Sequence, residues 1–254
     1  MRLQQISMVN RAGHTLRGFA NLPDGPEKVP CVLLLHGFTG NVYGYKGLNT
    51  RIARDLAAAG IGCVRFDFYG NGESDGEFED FTFTGLYEDT QDMFAWLREQ
   101  PFADPDRLFL SGQSMGGYVA ASCAPLLDPR GLILLCPGAG MWFGCAQRAD
   151  AVVEKGQDWC DLEGLKYKMA FNYDMAGHPS PFEEATGYAG PVLLIRASDD
   201  KLVDERTCQS YAQCYHQPEL VTTEGGGHNF TSIPVRKAVT DSMIAFIQAH
   251  ISLL

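Results

Sequence analysis

Ser114 stands between Gly112 and Gly116 in the run Arg107-Leu-Phe-Leu-Ser-Gly-Gln-Ser-Met-Gly-Gly-Tyr-Val-Ala-Ala121. A serine hydroxyl is a poor nucleophile at neutral pH, so it needs a base to take its proton and an acid to orient that base. Both residue types follow downstream. The segment Pro191-Val-Leu-Leu-Ile-Arg-Ala-Ser-Asp-Asp-Lys-Leu-Val203 carries Asp199 and Asp200 after an apolar run, and Glu224-Gly-Gly-Gly-His-Asn-Phe230 puts His228 on a glycine-rich loop. The other histidines compete poorly. His250 falls in a terminal helical pattern and His216 beside Pro218, while His14 and His178 sit near turns with no partner in sight. His36 closes an apolar run just before Gly37-Phe38, where it is better suited to stabilising a loop than to catalysis. In that loop the Phe38 N–H, together with the N–H of Met115, could receive the negative oxygen of a tetrahedral intermediate.

Such groups work only when a scaffold aims them. Leu108 to Leu110 reads as a strand and Gly116 to Ala124 as a small-residue helix, so Ser114 sits at the apex of a strand–turn–helix. There a Cβ at position 112 or 116 would collide with neighbouring backbone. Further apolar runs occur at Cys31 to Leu35, Ile61 to Phe68, Leu132 to Cys136 and Val192 to Ile195. Helical spacing recurs at Arg51 to Ala59, Leu86 to Arg98, Glu205 to Tyr215 and Val235 to Ile251. Strands apolar on both faces, alternating with helices, predict a mostly parallel sheet covered on both sides. Leu3 to Val9 and Thr15 to Leu22 alternate more and flank Asn10-Arg-Ala-Gly13, which predicts an antiparallel entry hairpin.

The alternation stops between Gly138 and Gly190. Trp142, Phe143, Trp159, Tyr167, Phe171, Tyr173, Phe182 and Tyr188 are scattered there among Gly, Pro and acidic residues. The stretch is too long for an ordinary loop and reads as a lid inserted at about 139–189 over the carboxyl ends of the strands. Trp142, Phe143 and Trp159 are its candidate substrate-binding residues; the alternative is that its aromatics form only a small core of its own.

The 254 residues suit a single α/β domain over 1–254. A net charge of −11 argues against nucleic acid and anionic lipid as partners and favours a neutral small-molecule substrate. No apolar run is long enough to span a bilayer, and Met-Arg-Leu-Gln-Gln-Ile-Ser-Met lacks the pattern of a secretory leader, so the expected location is cytoplasmic. Several of the eight cysteines lie in apolar runs, which favours free thiols, and no spacing suggests a metal site. Gly70 and Gly72 do not complete a dinucleotide fingerprint, and Asp67 and Asp75, which precede the serine, read as structural. No cofactor and no metal are expected, and a homodimer is left open.

Three segments carry a family resemblance: His36-Gly-Phe-Thr-Gly40, Val64-Arg-Phe-Asp-Phe-Tyr-Gly-Asn-Gly-Glu-Ser-Asp-Gly76 and Gly112-Gln-Ser-Met-Gly116. Across nearly its full length the chain resembles the α/β-hydrolase superfamily, and within it the cinnamoyl or feruloyl esterase branch. The resemblance implies a mostly parallel eight-stranded sheet with helices on both faces and an inserted lid. It also implies Ser114 as nucleophile, His228 as base, and Phe38 and Met115 as oxyanion donors. The branch's Gly-x-x-Asp-x-x-Val pattern maps onto Ala197-Ser-Asp-Asp-Lys-Leu-Val203, which selects Asp200 over Asp199, with Ala197 where the pattern has glycine. Polar residues that hold a phenolic hydroxyl in that branch are not evident in Gly140-Met-Trp-Phe-Gly-Cys145. The expected activity is therefore a serine carboxylesterase acting on hydrophobic or aromatic acyl groups. The alternatives are a thioesterase, monoacylglycerol lipase or peptidase with the same triad, and, from another class, a non-catalytic ligand-binding scaffold.

Overall fold

A computed structural model describes residues 1–25 and 27–251. The chain enters as the hairpin β1 (Arg2–Val9) and β2 (Thr15–Leu22), paired antiparallel, and continues through β3 (Val29–Leu35), α1 (Leu48–Ala58), β4 (Gly62–Phe66) and α2 (Phe83–Arg98). There follow β5 (Ala103–Gln113), α3 (Met115–Leu127) and β6 (Gly131–Leu135). Between β6 and β9 (Val192–Ala197) run α4 (Cys145–Val153), the small hairpin β7 (Trp159–Leu162) and β8 (Leu165–Lys168), α5 (Ala170–Ala176) and α6 (Pro181–Ala185). The chain then finishes with α7 (Glu205–Gln213), β10 (Glu219–Thr223) and α8 (Ile233–Ile251).

Eight strands form one sheet in the order β1-β2-β4-β3-β5-β6-β9-β10, parallel from β4 to β10. Its central strands are buried along their whole length on both faces, which is why they read as unbroken apolar runs. One cluster, including Leu33, Leu110 and Leu134, packs one face against α2 and α3. The other, including Val32, Ile133 and Ile195, packs against α1 and α8. β5 begins at Ala103 rather than near Arg107, because Val29 pairs with Ala103 ahead of a register shift. β10 goes unnoticed in the sequence because it is a mostly exposed edge strand with no apolar run. All eight cysteines are free. Among the described residues no helix is long and apolar enough to cross a membrane.

This order brings the carboxyl ends of β3, β5, β6 and β9 side by side. In a parallel sheet all those ends lie on one edge, so the loops after them converge although they are far apart in sequence.

Candidate active site

β5 turns into α3 at Ser114, whose φ of 55° and ψ of −118° lie where non-glycine residues rarely go. Glycines on either side make the turn feasible. A Cβ on Gly112 would lie 2.1 Å from the Gly116 carbonyl oxygen, and one on Gly116 would lie 2.5 Å from the His36 carbonyl oxygen. Ser114 is held by its own N–H to the Leu135 carbonyl (3.0 Å), while its carbonyl accepts from Tyr118 and Gly138. The hydroxyl is thereby fixed at the mouth of α3, where unpaired N–H groups and the helix dipole favour negative charge.

The end of β9 grips the glycine-rich loop at three successive residues. Ser198 Oγ accepts from Gly225 N–H (2.9 Å), Asp199 Oδ1 from Gly227 N–H (2.7 Å), and Asp200 Oδ2 from His228 Nδ1 (2.9 Å). The second Asp200 oxygen accepts the N–H groups of Leu202 and Val203 at 2.8 and 3.0 Å. The Asp200 side chain is fully shielded from solvent. Burial pushes its pKa up, but the bonds from His228, Val203 and Leu202 outweigh that, and the net shift is downward. A carboxylate can only accept, so the proton of His228 sits on Nδ1 and leaves Nε2 as the basic nitrogen. Asp199, by contrast, is exposed and touches the loop backbone, not the imidazole.

Ser114 and His228 line one cavity of about 590 Å³, and Met115 and the loop Gly37-Phe38 line it as well. Among the described residues, neither the Phe38 N–H nor the Met115 N–H donates to another protein group. His36 holds that loop. The Phe68 N–H donates to its Nε2 (3.2 Å), which leaves Nδ1 to donate to the Gly37 carbonyl (2.8 Å), and burial lowers its pKa. Both ring nitrogens are thus spent on backbone. Asp67 accepts from Val42 and Glu73 N–H groups, and Asp75 pairs with Arg17 and Thr15, so both brace neighbouring loops.

The three aromatic candidates are placed differently from the expectation. None of Trp142, Phe143 and Trp159 lines the cavity; Gly140 and Met141 are what the insertion contributes to its wall. Trp142 donates its indole N–H to the His178 carbonyl (3.1 Å) and packs edge-on against Phe143. Phe143 is 49% exposed and Trp159 38% exposed, the latter on β7 with Lys166 over its ring. The aromatics that line the cavity are instead Phe38, Tyr45 and Tyr118, and behind them Phe78, Phe81, Tyr167 and Phe171 surround the Phe38 ring at 5.3–5.9 Å between centroids.

Sequence reasoning also passed over Gln113, Cys136 and Asn229. Gln113 Nε2 donates to the His228 carbonyl (3.0 Å) and to Asn229 Oδ1 (3.1 Å), and the Cys136 thiol lies 3.3 Å from the same carbonyl. A signal was present: a long amide at the inner end of a buried strand must find hydrogen-bond partners. Cys136, Asp200 and His228 also bring candidate metal-ligand atoms within 4.8 Å of one another. The Asp200 carboxylate and the His228 ring are already bonded to each other, the Cys136 thiol is spent on the His228 backbone carbonyl, and burial raises the Cys136 pKa well above the ordinary thiol value, which keeps it protonated.

The cavity wall contains no Asp, Glu, Lys or Arg among the described residues. It therefore suits a neutral substrate. Comparison with known proteins is consistent in fold and chemistry. The family model described as serine aminopeptidase, S33, matches residues 26–159. An uncharacterized protein of Mycobacterium tuberculosis is 25% identical over 219 residues, covering 86% of this chain and 69% of its own. Human mitochondrial palmitoyl-protein thioesterase ABHD10 is 28% identical over 196 residues, 73% of this chain and 57% of that protein. Among solved structures, Est1E from Butyrivibrio proteoclasticus with ferulic acid bound superposes with a TM-score of 0.86, covering 97% of this chain and 99% of that one at 24% identity.

Proposed function

We propose, for a chain that belongs to the serine aminopeptidase S33 family of α/β hydrolases and is a serine hydrolase, that its reaction is the hydrolysis of neutral carboxylic esters with a hydrophobic or aromatic acyl group. The observation that carries this reading is the Asp200–His228 pair opening onto the same uncharged cavity as Ser114 and two unpartnered N–H groups. Ser114 attacks the ester carbonyl while His228 Nε2 takes its proton. The Phe38 and Met115 N–H groups receive the oxyanion, and Asp200 holds the imidazole and stabilises its protonated form. His228 then protonates the departing alcohol and activates a water that releases the acid from Ser114.

The wall chemistry favours an ester over a peptide N-terminus. An aminopeptidase must hold a free ammonium group, and no carboxylate lines this cavity to meet it. Met141, Phe38 and Tyr118 supply apolar wall for the acyl group, at roughly 25 cal/mol for each Å² hidden from water. A cavity of about 590 Å³ holds an aromatic or medium-length chain. The segment at about 139–189, through Gly140 and Met141, acts as the lid over that side.

A thioester reading also has support, in the similarity to the human palmitoyl-protein thioesterase. Both are tested by one panel of matched oxygen esters, thioesters and aminoacyl amides that differ only in the bond broken. The ester reading expects the highest kcat/KM on oxygen esters of aromatic or medium-chain acids. A preference for amides with a free N-terminus overturns it, and a uniform preference for thioesters replaces it with the second reading.

A further inference from the structure

His228 rides on a loop with little order of its own. Gly225, Gly226 and Gly227 have φ values of 70°, 104° and 58°, and Phe230 is also left-handed at 48°. Three consecutive glycines lose more conformational freedom on folding than any other residues would, so the loop's geometry must be imposed by contacts. The contacts from the end of β9, through Ser198, Asp199 and Asp200, fix the Nδ1 side of the imidazole. None of them touches the nucleophile.

Gln113 does. It is bonded covalently to Ser114, and its side-chain amide reaches both the carbonyl of His228 and the side chain of Asn229. The His228 carbonyl can only accept, so it fixes the orientation of the amide and makes Nε2 the donor in both bonds. Gln113 is buried at the edge of the cavity, which keeps these bonds from competing with bulk water. The Cys136 thiol, a weaker donor, shares the same carbonyl.

We infer that Gln113 is a positioning residue that sets the distance between the hydroxyl of Ser114 and Nε2 of His228, by tying the base-bearing loop to the residue next to the nucleophile. The inference rests on the reading of Ser114 and His228 as nucleophile and base. Proton transfer to a general base is steep in distance, and a displacement of about 1 Å can cost on the order of 10²-fold in rate. Removing the two bonds should therefore slow attack by Ser114 and leave substrate binding almost untouched.

The experiment follows the rate at which a serine-directed aryl phosphonate labels Ser114, alongside kcat and KM on one ester, in the wild type, Gln113→Leu and Gln113→Glu. Leucine keeps the bulk without the donors, and glutamate keeps the shape while replacing the donors with acceptors. Labelling rate and kcat should fall together by about ten- to a hundredfold in both variants, with KM within about twofold and melting temperature little changed. Gln113→His, which retains an N–H donor, should recover part of the loss. If the leucine variant fails to fold, the isosteric glutamate variant carries the comparison. Labelling of either folded variant at the wild-type rate overturns the inference alone. Absence of labelling at Ser114 in the wild type overturns the hydrolase chemistry proposed for that serine and this inference with it.

Discussion

The turn at Ser114 and the segment between β6 and β9 both frame the cavity, and they are built on opposite principles. At the turn almost every backbone group is committed. The strained serine, the glycines on either side and the three-point grip of β9 on the histidine loop leave each functional atom essentially one place to be. The insertion relies on ring packing and on a polar contact between Asp174, His178, Glu184 and Thr84 that joins it to the start of α2. The first region is specified by backbone geometry and tolerates almost no substitution. The second is specified by shape, which many sequences can supply.

The sharpest test of that contrast is at the turn. Ser114→Ala should lower ester hydrolysis by about 10⁶ in turnover with the fold intact, as measured by steady-state kinetics and circular dichroism. Wild-type turnover in that variant would remove the turn from the chemistry altogether.

Adjacent aspartates provide the next step down. Asp200→Asn should cost about 10⁴ in kcat, because an amide in place of the carboxylate no longer enforces the imidazole tautomer. Asp199→Asn keeps an oxygen able to accept from Gly227 N–H and should stay within about threefold of wild type. Equal losses at the two positions would reject the assignment of Asp200 as the orienting acid.

The insertion should show smaller, selective effects. Met141→Ala is expected to reduce kcat/KM on a medium-chain or aromatic ester relative to an acetate ester by about 1–3 kcal/mol, whereas Trp159→Ala should change that ratio hardly at all. A larger effect at Trp159 than at Met141 would mean that the acyl group lies outside the cavity wall described above.

The smallest expected difference is one of pH. Burial depresses the His36 pKa, so below about pH 6.5 the unfolded chain takes up a proton that the folded loop refuses, and stability falls. Asp200, also depressed, adds to the loss as pH drops toward its folded value. His178 behaves oppositely. Its hydrogen bond to Glu184 raises its pKa against the effect of burial, so its contribution is full below the unfolded value and disappears as pH rises through the folded one. Hydrogen exchange should therefore quicken first in residues 36–40 on mild acidification and first in residues 174–185 on going above neutrality. The reverse order would contradict the pairing of His178 with Glu184.

The same contrast explains what could be read from the sequence. Gly112, Ser114 and Gly116 are legible because the turn excludes other residues at the flanking positions, and the central strands are legible because burial on both faces demands unbroken apolar runs. Asp200 was separable from Asp199 only through family resemblance; both follow β9, and which one meets the imidazole depends on where the histidine loop crosses. The insertion's aromatic content was visible, but the direction of each ring was not. Trp159 lies on a short exposed hairpin, while Phe38, outside the insertion altogether, sits at the centre of the aromatic cluster. Gln113 occupies a position in the motif that the turn leaves free, so its role emerges only when the loop it holds is seen beside it.

Phe38 joins the two regions in one residue: its ring packs against Tyr167 and Phe171 of the insertion, and the residue lines the cavity, where the proposed mechanism uses its N–H as an oxyanion donor. On the proposed chemistry, substrate choice and catalytic rate are mechanically linked. A change in the insertion that reshapes the acyl wall also shifts the ring, and the ring carries its own amide with it. Adaptation to a new acyl group in this scaffold should proceed first through poorer catalysts, with recovery coming from compensating changes around the Phe38 ring and not at the nucleophile.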